Sequence, residues 1–178
     1  NALFASAFLP FRLLAGALTA VDIRGRDGLS LREEWAAGPR TYLGLMSHGF
    51  PNLFFITGPG SPSVLVNLIV GLEQQIDWIA RLMTDLRARG ASSIEAREDA
   101  QNAWVDTVNA AAAGTLMMRS NSWYLGANVP GKPRVFMPFV GGIGRYRAIC
   151  DEVAADGYRG FALHTVPSSD SRPAETAA

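Results

Sequence analysis

The feature that most constrains the fold is a buried-strand pattern that runs directly into a glycine- and proline-rich loop and then a long helix. Residues 53–57 (LFFIT) form a continuous apolar run, with Pro-Asn before it and Gly-Pro-Gly after it. A run of this length with these flanks predicts a β-strand buried on both faces. After the loop at 58–63 (GPGSPS), apolar residues recur mostly at steps of three and four, which predicts an amphipathic helix ending before Gly90: Leu68, Ile69, Leu72, Ile76, Ile79, Leu82, Met83 and Leu86.

The rest of the chain alternates between short strands and helices, which predicts an α/β fold. Strands are expected at residues 18–23, 42–46, 135–140 and 160–166, and a short helix at 146–155. Ser92 followed three residues later by Glu95 is typical of a capping box. It predicts a second helix, carried by Ala100, Trp104, Val108 and Leu116. The glycines and prolines of residues 122–134 predict a loop.

Composition bounds the possible functions. The 178 residues suffice for one domain with its own core, and 16 basic residues balance 16 acidic ones. A zero net charge argues against a nucleic-acid surface or an anionic membrane surface, since both depend on basic patches. Charged residues make up 18% of the chain, below the roughly 25% typical of soluble domains. This low charge raises the question whether the chain packs against further protein.

The two ends of the chain carry no targeting or membrane pattern. The apolar residues 1–20 are interrupted by Pro10 and Arg12, and neither uncharged run reaches the ~20 residues that a spanning helix needs. Arg12 lies inside the apolar stretch rather than before it, which disfavours a secretory signal. We therefore expect a cytoplasmic protein without a membrane segment. Residues 167–178 (PSSDSRPAETAA) are small and polar, which predicts a disordered tail.

Several kinds of site are excluded by the sequence. It contains no G-x-x-x-x-G-K-[ST], no G-x-G-x-x-G and no G-x-S-x-G, so it has no P-loop, dinucleotide-binding or serine hydrolase motif. His48 and His164 lack metal-ligand spacing, so no metal site is expected and both are interpreted as structural. Cys150, the single cysteine, lies on a predicted apolar helix face and is interpreted as a buried, inert thiol. No catalytic residue is assigned.

Two loops carry the remaining functional signal. The loop at 58–63 joins a buried strand to a helix N-terminus, and ligands of open α/β sheets bind at that edge, where the helix favours negative charge. An ordinary strand–helix connection explains the same pattern and is favoured on the residues alone. Trp123 lies within the second loop, where its indole can contact a ligand or anchor the loop to the core. The other tryptophans are interpreted as packing residues: Trp35, Trp78 and Trp104.

Four strings resemble the C-terminal part of the flavin-dependent Baeyer–Villiger monooxygenases of the phenylacetone and cyclohexanone type: ITGPGSPS (56–63), SWYLGANVPGKPRVFM (122–137), VGGIGRYR (140–147) and CDEVAADGYRGF (150–161). The resemblance covers residues 16–163. It implies the C-terminal portion of a flavoprotein with two dinucleotide-binding domains, in which this segment completes the FAD domain. It also implies an enzyme that uses FAD and NADPH to insert one oxygen atom of O2 next to a ketone carbonyl, which gives an ester or a lactone.

The resemblance also implies site residues. Three positions match a bulge that shapes the substrate pocket and its ketone specificity: Ser63, Val64 and Leu65. Met137 matches another substrate-pocket residue, and Leu68 matches a position that contacts FAD. Trp123 matches the tryptophan of a mobile loop that hydrogen-bonds the NADP cofactor and closes to exclude water.

The sequence departs from the family at its start. The family's FAD-binding G-x-G-x-x-G, its second nucleotide-binding motif and its active-site arginine are absent, so the missing N-terminal FAD and NADP domains are expected partners. Residues 1–15 fit poorly, and only residues 4–8 (FASAF) weakly resemble a family string. We therefore expect a divergent segment at 1–15, the C-terminal part of the FAD-binding domain at 16–166 and a tail at 167–178. The isolated chain is expected to be catalytically incomplete, and the alternative is a non-catalytic α/β binding module or a truncated remnant.

Overall fold

The computed structural model describes residues 3–6, 16–62, 66–119 and 135–165 of the chain. Its helices and strands are, in chain order, β1 (Leu3–Ser6), α1 (Gly16–Ala20), α2 (Leu31–Glu34), β2 (Leu53–Ile56), α3 (Leu68–Ala88), β3 (Ala91–Ala96), α4 (Glu98–Ala112), α5 (Ile143–Ala155) and β4 (Phe161–Thr165). Two short 3-10 helices lie at Arg26–Gly28 and Leu116–Arg119. The mixture of strands and helices confirms the predicted α/β class.

β2 forms where the apolar run predicts a strand, and most of it is buried. It pairs in parallel with β1, with Leu3 opposite Leu53. On its other side, the Phe55 N–H donates to the Leu45 carbonyl at 2.7 Å. The strand is therefore hydrogen-bonded on both edges, which suits an unbroken apolar run.

α3 is 21 residues long and confirms the predicted amphipathic helix. Asn67 caps its start, because the side-chain Oδ1 accepts a hydrogen bond from the Ile69 N–H at 3.0 Å. Gly90, just past its end, has a left-handed φ of 63°, the conformation in which glycine commonly terminates helices. The helix packs on β2, β3 and α5. It therefore connects the parallel and the antiparallel strand pairs.

The capping-box prediction at Ser92 and Glu95 is wrong, because both residues lie in β3. β3 pairs antiparallel with β4, and the Ser92 hydroxyl donates across the pair to the His164 carbonyl at 3.1 Å. Glu95 is buried and pairs with Arg26 instead of reaching back to a helix start. The helix itself is present as α4, but it begins only at Glu98. Long-range strand pairing has therefore overridden a local helix signal.

Two predicted strands near the N-terminus are also wrong. Residues 18–23 begin inside α1, whose Leu18 is buried in a core cluster, and within the described chain they belong to no sheet. β-branched residues favour a strand locally, but a strand needs a hydrogen-bonded neighbour. Residues 42–46 form a tight turn closed by an isolated bridge between Tyr42 and Met46.

The C-terminal half contains two further differences. Leu116 lies in a separate 3-10 helix and is 80% exposed, rather than on the buried face of α4. Residues 135–140 form no strand. They are hydrogen-bonded to the loop after β2, where the Gly60 N–H donates to the Met137 carbonyl. Their backbone is thus hydrogen-bonded to a loop instead of a strand, and the spacing of apolar residues in the sequence cannot reveal such a pairing.

The predictions at the end of the described chain hold. The helix predicted at 146–155 is present as α5, and the strand predicted at 160–166 is present as β4. Within the described ranges, no helix is both long and apolar enough to cross a membrane. The predicted tail at 167–178 lies outside the described residues, so the three-part division of the chain stays a prediction.

Two clusters form the core. The larger one joins α3, α4, α5 and the β3–β4 pair, and it contains Trp78 and Trp104, which confirms both as packing residues. Trp104 stacks on Phe139 with 5.3 Å between ring centroids, which ties residues 135–140 to α4. The smaller cluster contains Trp35, which is likewise a packing residue.

Replacing Leu82 with alanine tests the buried face of α3. Leu82 is fully buried, so Leu82→Ala is expected to lower the free energy of unfolding by about 2–5 kcal/mol. Ile76 lies on the same helix but is 48% exposed, so Ile76→Ala is a matched control that should cost less than about 1 kcal/mol. Urea denaturation followed by circular dichroism measures both values. Equal losses in the two variants would contradict the packing of this helix.

Candidate functional site

The loop that follows β2 is the candidate site. Residues 57–62 are all buried, although they belong to no helix or strand. Burying irregular backbone is costly unless its N–H and C=O groups find partners, so the hydrogen bonds around this loop determine its shape. Thr57 and Gly60 have positive φ angles of 56° and 88°. The chain therefore takes an uncommon left-handed conformation at the start and in the middle of the loop.

Gln75 of α3 holds the first residue of the loop. Its Oε1 accepts from the Thr57 N–H at 2.7 Å, and its Nε2 donates to the Tyr146 hydroxyl at 3.1 Å. Tyr146, on α5, donates in turn to the Leu43 carbonyl at 2.6 Å. Burial raises the pKa of Tyr146 well above its ordinary value, so the hydroxyl keeps its proton and remains a donor. A continuous chain of hydrogen bonds thus joins the loop to α3, to α5 and to the turn before β2.

The middle of the loop is held by two further side chains. The Thr41 hydroxyl donates to the Pro59 carbonyl and accepts from the Gly44 N–H at 3.1 Å. The Trp104 indole Nε1–H donates to the Gly60 carbonyl at 3.2 Å. Both loop carbonyls are therefore satisfied by buried side chains, one preceding β2 and one on α4.

The loop leads toward the N-terminus of α3, which has an apolar and uncharged character. There is no acidic residue in the first turn of the helix. Asn67 accepts from the Ile69 N–H, and the first N–H groups of an α-helix in general find no acceptor within the helix itself. Ile69 is 64% and Val70 40% exposed. A helix N-terminus beside exposed apolar side chains suits a planar ligand with a partly negative edge.

Two of the site residues implied by the resemblance lie in the described part of the chain. One is at the start of α3, and the other is hydrogen-bonded to the loop after β2. Leu68 is the first residue of α3. Met137 is half-buried, and its carbonyl accepts from the Gly60 N–H. The other four predicted residues lie outside the described residues: Ser63, Val64, Leu65 and Trp123.

Sequence reasoning missed Gln75 and Thr41. A signal for Gln75 is present, because it precedes Ile79 and Leu82 by four and seven residues and so lies on the apolar stripe of α3. A polar side chain on a buried face normally has a hydrogen-bond partner. The neighbouring Gln74 is also buried, but its side chain lies beside the Cys150 thiol and makes no hydrogen bond to the loop. A position on the buried stripe therefore identifies both glutamines as candidates for holding the loop, and only the fold shows which of them binds it.

The histidines show no catalytic or metal-binding arrangement. His48 is half-buried, and its Nδ1 lies 3.1 Å from the Ala96 carbonyl oxygen. His164 is half-exposed, with its Nε2 3.8 Å from the Glu95 carboxylate. In the described ranges, no three His, Cys, Asp or Glu side chains are grouped so that they could hold a metal ion. Both histidines are consistent with the structural interpretation.

Cys150 is predicted to be unreactive in the folded chain. The thiol is fully buried, and this burial raises its pKa to about 12. Only about one thiol in ten thousand is then ionised at pH 8, and the thiolate is the reactive form. Ellman's reagent should label the native chain negligibly at pH 8 and label one thiol per chain in guanidinium chloride. Rapid labelling of the native chain would show that the thiol is accessible and the core assignment wrong.

Gly60→Ala tests the close approach of Trp104 to the loop. A Cβ at Gly60 would lie 2.8 Å from the Trp104 Nε1, at a φ of 88° that alanine rarely adopts. Gly90 has a φ of 63° with nothing within 4 Å, so Gly90→Ala carries only the backbone cost of about 1 kcal/mol. We expect Gly60→Ala to lower the free energy of unfolding, measured with a denaturant, by at least about 1 kcal/mol more than Gly90→Ala does. An equal loss of unfolding free energy in both variants would show that Trp104 does not approach Gly60 as closely as described.

Comparison with known proteins identifies relatives along most of the chain, although no family model matches it. The chain is 47% identical over 149 residues to acetone monooxygenase (methyl acetate-forming) of Gordonia sp. (strain TY-5), which covers 83% of this chain and 28% of that protein. It is 39% identical over 148 residues to a Baeyer–Villiger monooxygenase of Pseudooceanicola batsensis, covering 83% of this chain and 27% of that protein.

A solved structure agrees with these sequence relationships. An oxidised steroid monooxygenase bound to NADP matches with a TM-score of 0.79 and 51% identity, over 86% of this chain and 29% of that chain. The chain thus spans less than a third of the length of the relatives it matches. Sequence and fold together confirm the resemblance found in the four strings. The chain is therefore related to the flavin-dependent Baeyer–Villiger monooxygenases and corresponds to a C-terminal part of these proteins.

Proposed function

We propose that this chain is a segment of an FAD- and NADPH-dependent Baeyer–Villiger monooxygenase. Such an enzyme inserts one oxygen atom of O2 next to a ketone carbonyl and releases an ester or a lactone. The observation that carries the proposal is the 47% identity to an acetone monooxygenase that forms methyl acetate, over 83% of this chain. Methyl acetate is the ester expected when oxygen is inserted beside the carbonyl of acetone.

The described residues fit a flavin at the start of α3. The N-terminus of the helix lies there, Ile69 and Val70 offer exposed apolar side chains, and the first turn has no acidic residue. These features suit an aromatic ring system with a polar carbonyl edge. We therefore assign Leu68 as an FAD-contacting residue. When bound, FAD supplies the redox chemistry by which an oxygen atom of O2 reaches the ketone.

The buried loop is proposed to support one wall of the ketone pocket. Met137 contributes to that wall, and its backbone is fixed by the bond to the Gly60 N–H. The bulge residues are proposed to complete the same wall: Ser63, Val64 and Leu65. Trp123 is proposed to bind NADPH. A wall held by buried hydrogen bonds positions the ketone and limits the entry of water, which favours oxygen transfer over side reactions.

The chain alone is proposed to be catalytically incomplete. It contains no G-x-G-x-x-G with which to bind the pyrophosphate of a dinucleotide. N-terminal FAD and NADP domains are therefore the proposed partners, with a ketone and O2 as the substrates of the whole enzyme. A cytoplasmic location is part of this proposal.

Segment exchange tests the function. The matching segment of the Gordonia acetone monooxygenase is replaced by this chain, and the chimera is purified beside the isolated chain. We expect a yellow chimera that consumes NADPH and converts acetone into methyl acetate, because the host supplies the missing nucleotide-binding domains. The isolated chain should be colourless and should leave NADPH unchanged. Absorbance at the flavin and NADPH wavelengths and gas chromatography of the ester are the measurements.

Two results would contradict this proposal in different ways. A yellow, NADPH-oxidising isolated chain would refute its incompleteness. A folded chimera that holds flavin but oxidises none of a panel of ketones would refute the activity and favour the binding module. If the chimera does not fold, the chain is co-expressed with the N-terminal remainder of the host as a separate polypeptide, and the same assays apply.

A further inference from the structure

Two adjacent glutamines on α3 differ sharply in how their buried side chains are used. Gln74 and Gln75 are both almost fully buried. Gln75 uses its Oε1 and its Nε2 in hydrogen bonds to two different elements. The Gln74 side chain makes no such bonds and lies beside the Cys150 thiol instead. The fold therefore contains a bonded glutamine and, next to it, a natural control.

The Gln75 network stabilises unfavourable backbone conformations at both of its ends. Thr57 has a φ of 56° and Leu43 a φ of 57°, although neither is glycine. Left-handed backbone is uncommon for such residues and persists only where the surroundings hold it. Gln75 binds the Thr57 N–H directly, and Tyr146 binds the Leu43 carbonyl. The amide of Gln75, which also binds the Tyr146 hydroxyl, thus links the two strained positions through one continuous network.

Three loop residues connect Thr57 to the hydrogen bond that holds Met137. Thr57 is followed by Gly58, Pro59 and Gly60, and all four are buried. The N–H of Gly60 donates to the Met137 carbonyl. Rotation at Thr57 would shift the start of this short segment, and the fixed φ of Pro59 would transmit part of that shift to Gly60. A shift of this segment would therefore act on the Met137 carbonyl through the Gly60 hydrogen bond.

We propose that Gln75 is a positioning residue. It sets the position of Met137 in the wall of the ketone pocket, and the position of this wall determines how well the pocket discriminates between ketones of different size. The effect on ketones rests on the proposed function, whereas the effect on the loop does not. A substitution at Gln75 should leave the start of α3, where Leu68 is assigned to FAD, unchanged. It should alter the recognition of a bulky ketone more than that of acetone, because a displaced wall changes the space beside the larger groups.

The first experiment measures the loop itself in the full 178-residue chain. Hydrogen exchange of the Thr57 amide is compared in the unsubstituted chain, Gln75→Leu, Tyr146→Phe and the control Gln74→Leu. We expect exchange at Thr57 to rise about tenfold in Gln75→Leu, because its acceptor is lost, and to rise less in Tyr146→Phe. Gln74→Leu should not change it. Unchanged exchange in Gln75→Leu would overturn the proposal.

The second experiment measures ketone discrimination in the chimera. The ratio of kcat/KM for acetone to that for a phenyl-substituted ketone is determined for the same variants, together with flavin content. We expect Gln75→Leu to change this ratio at least about fivefold, with flavin content and the rate of flavin reduction by NADPH within about twofold. A merely structural role would lower both kcat/KM values in proportion to lost flavin. That result, or an equal ratio in Gln75→Leu and Gln74→Leu, would overturn the proposal.

The two experiments separate the possible failures. An inactive chimera with the expected exchange pattern would refute the proposed function but keep the positioning of the loop by Gln75. An active chimera with an unchanged ratio would refute the positioning role alone. If Gln75→Leu does not fold, Tyr146→Phe decides in its place, since it keeps the ring in the core and removes only the hydroxyl. Its ratio should then shift in the same direction, and an unshifted ratio would count against the proposal.

Discussion

Irregular backbone can be buried only where its polar groups are hydrogen-bonded, and this constraint organises much of the described chain. The loop after β2 has no ladder of its own. Its partners come from the segment before β2, from α3, from α4 and from residues 135–140. Each of these elements also contributes to the larger core cluster. The shape of the loop is therefore set by the same packing that stabilises the domain.

The same constraint accounts for some of the 18 glycines in the chain. A Cβ at Gly44 would lie 2.6 Å from the Ser61 Cβ, and one at Gly58 would lie 2.5 Å from the Gly44 carbonyl oxygen. Real Cβ atoms do not approach other atoms so closely, so the tight turn and the loop can touch only because both positions are glycine. These two glycines thus reflect two backbone segments in direct contact.

The sequence was informative where structure depends on neighbouring residues and failed where it depends on distant ones. β2 and α3 follow from an apolar run and a helical period, and the flanking turn residues place their ends. β3 was mistaken for a helix start, because Ser92 and Glu95 match a local capping pattern while their actual partners lie on β4 and at Arg26. Residues 135–140 pair with a loop that has no sequence period. Of the candidate site, Leu68 and Met137 were found only through the family resemblance.

Gln75 illustrates why a site of this kind resists prediction. Its place on the apolar stripe is visible in the sequence, but Gln74 is buried as well and lies beside Cys150, with no hydrogen bond to the loop. What distinguishes them is the arrangement of Thr57 and Tyr146, which depends on how α5 packs against α3. In the proposed enzyme, phosphate binding would fall to the N-terminal domains and the pocket wall to this segment. Because the wall is held by contacts inside the segment, ketone preference should be transferable with it, whereas cofactor affinity should stay with the host.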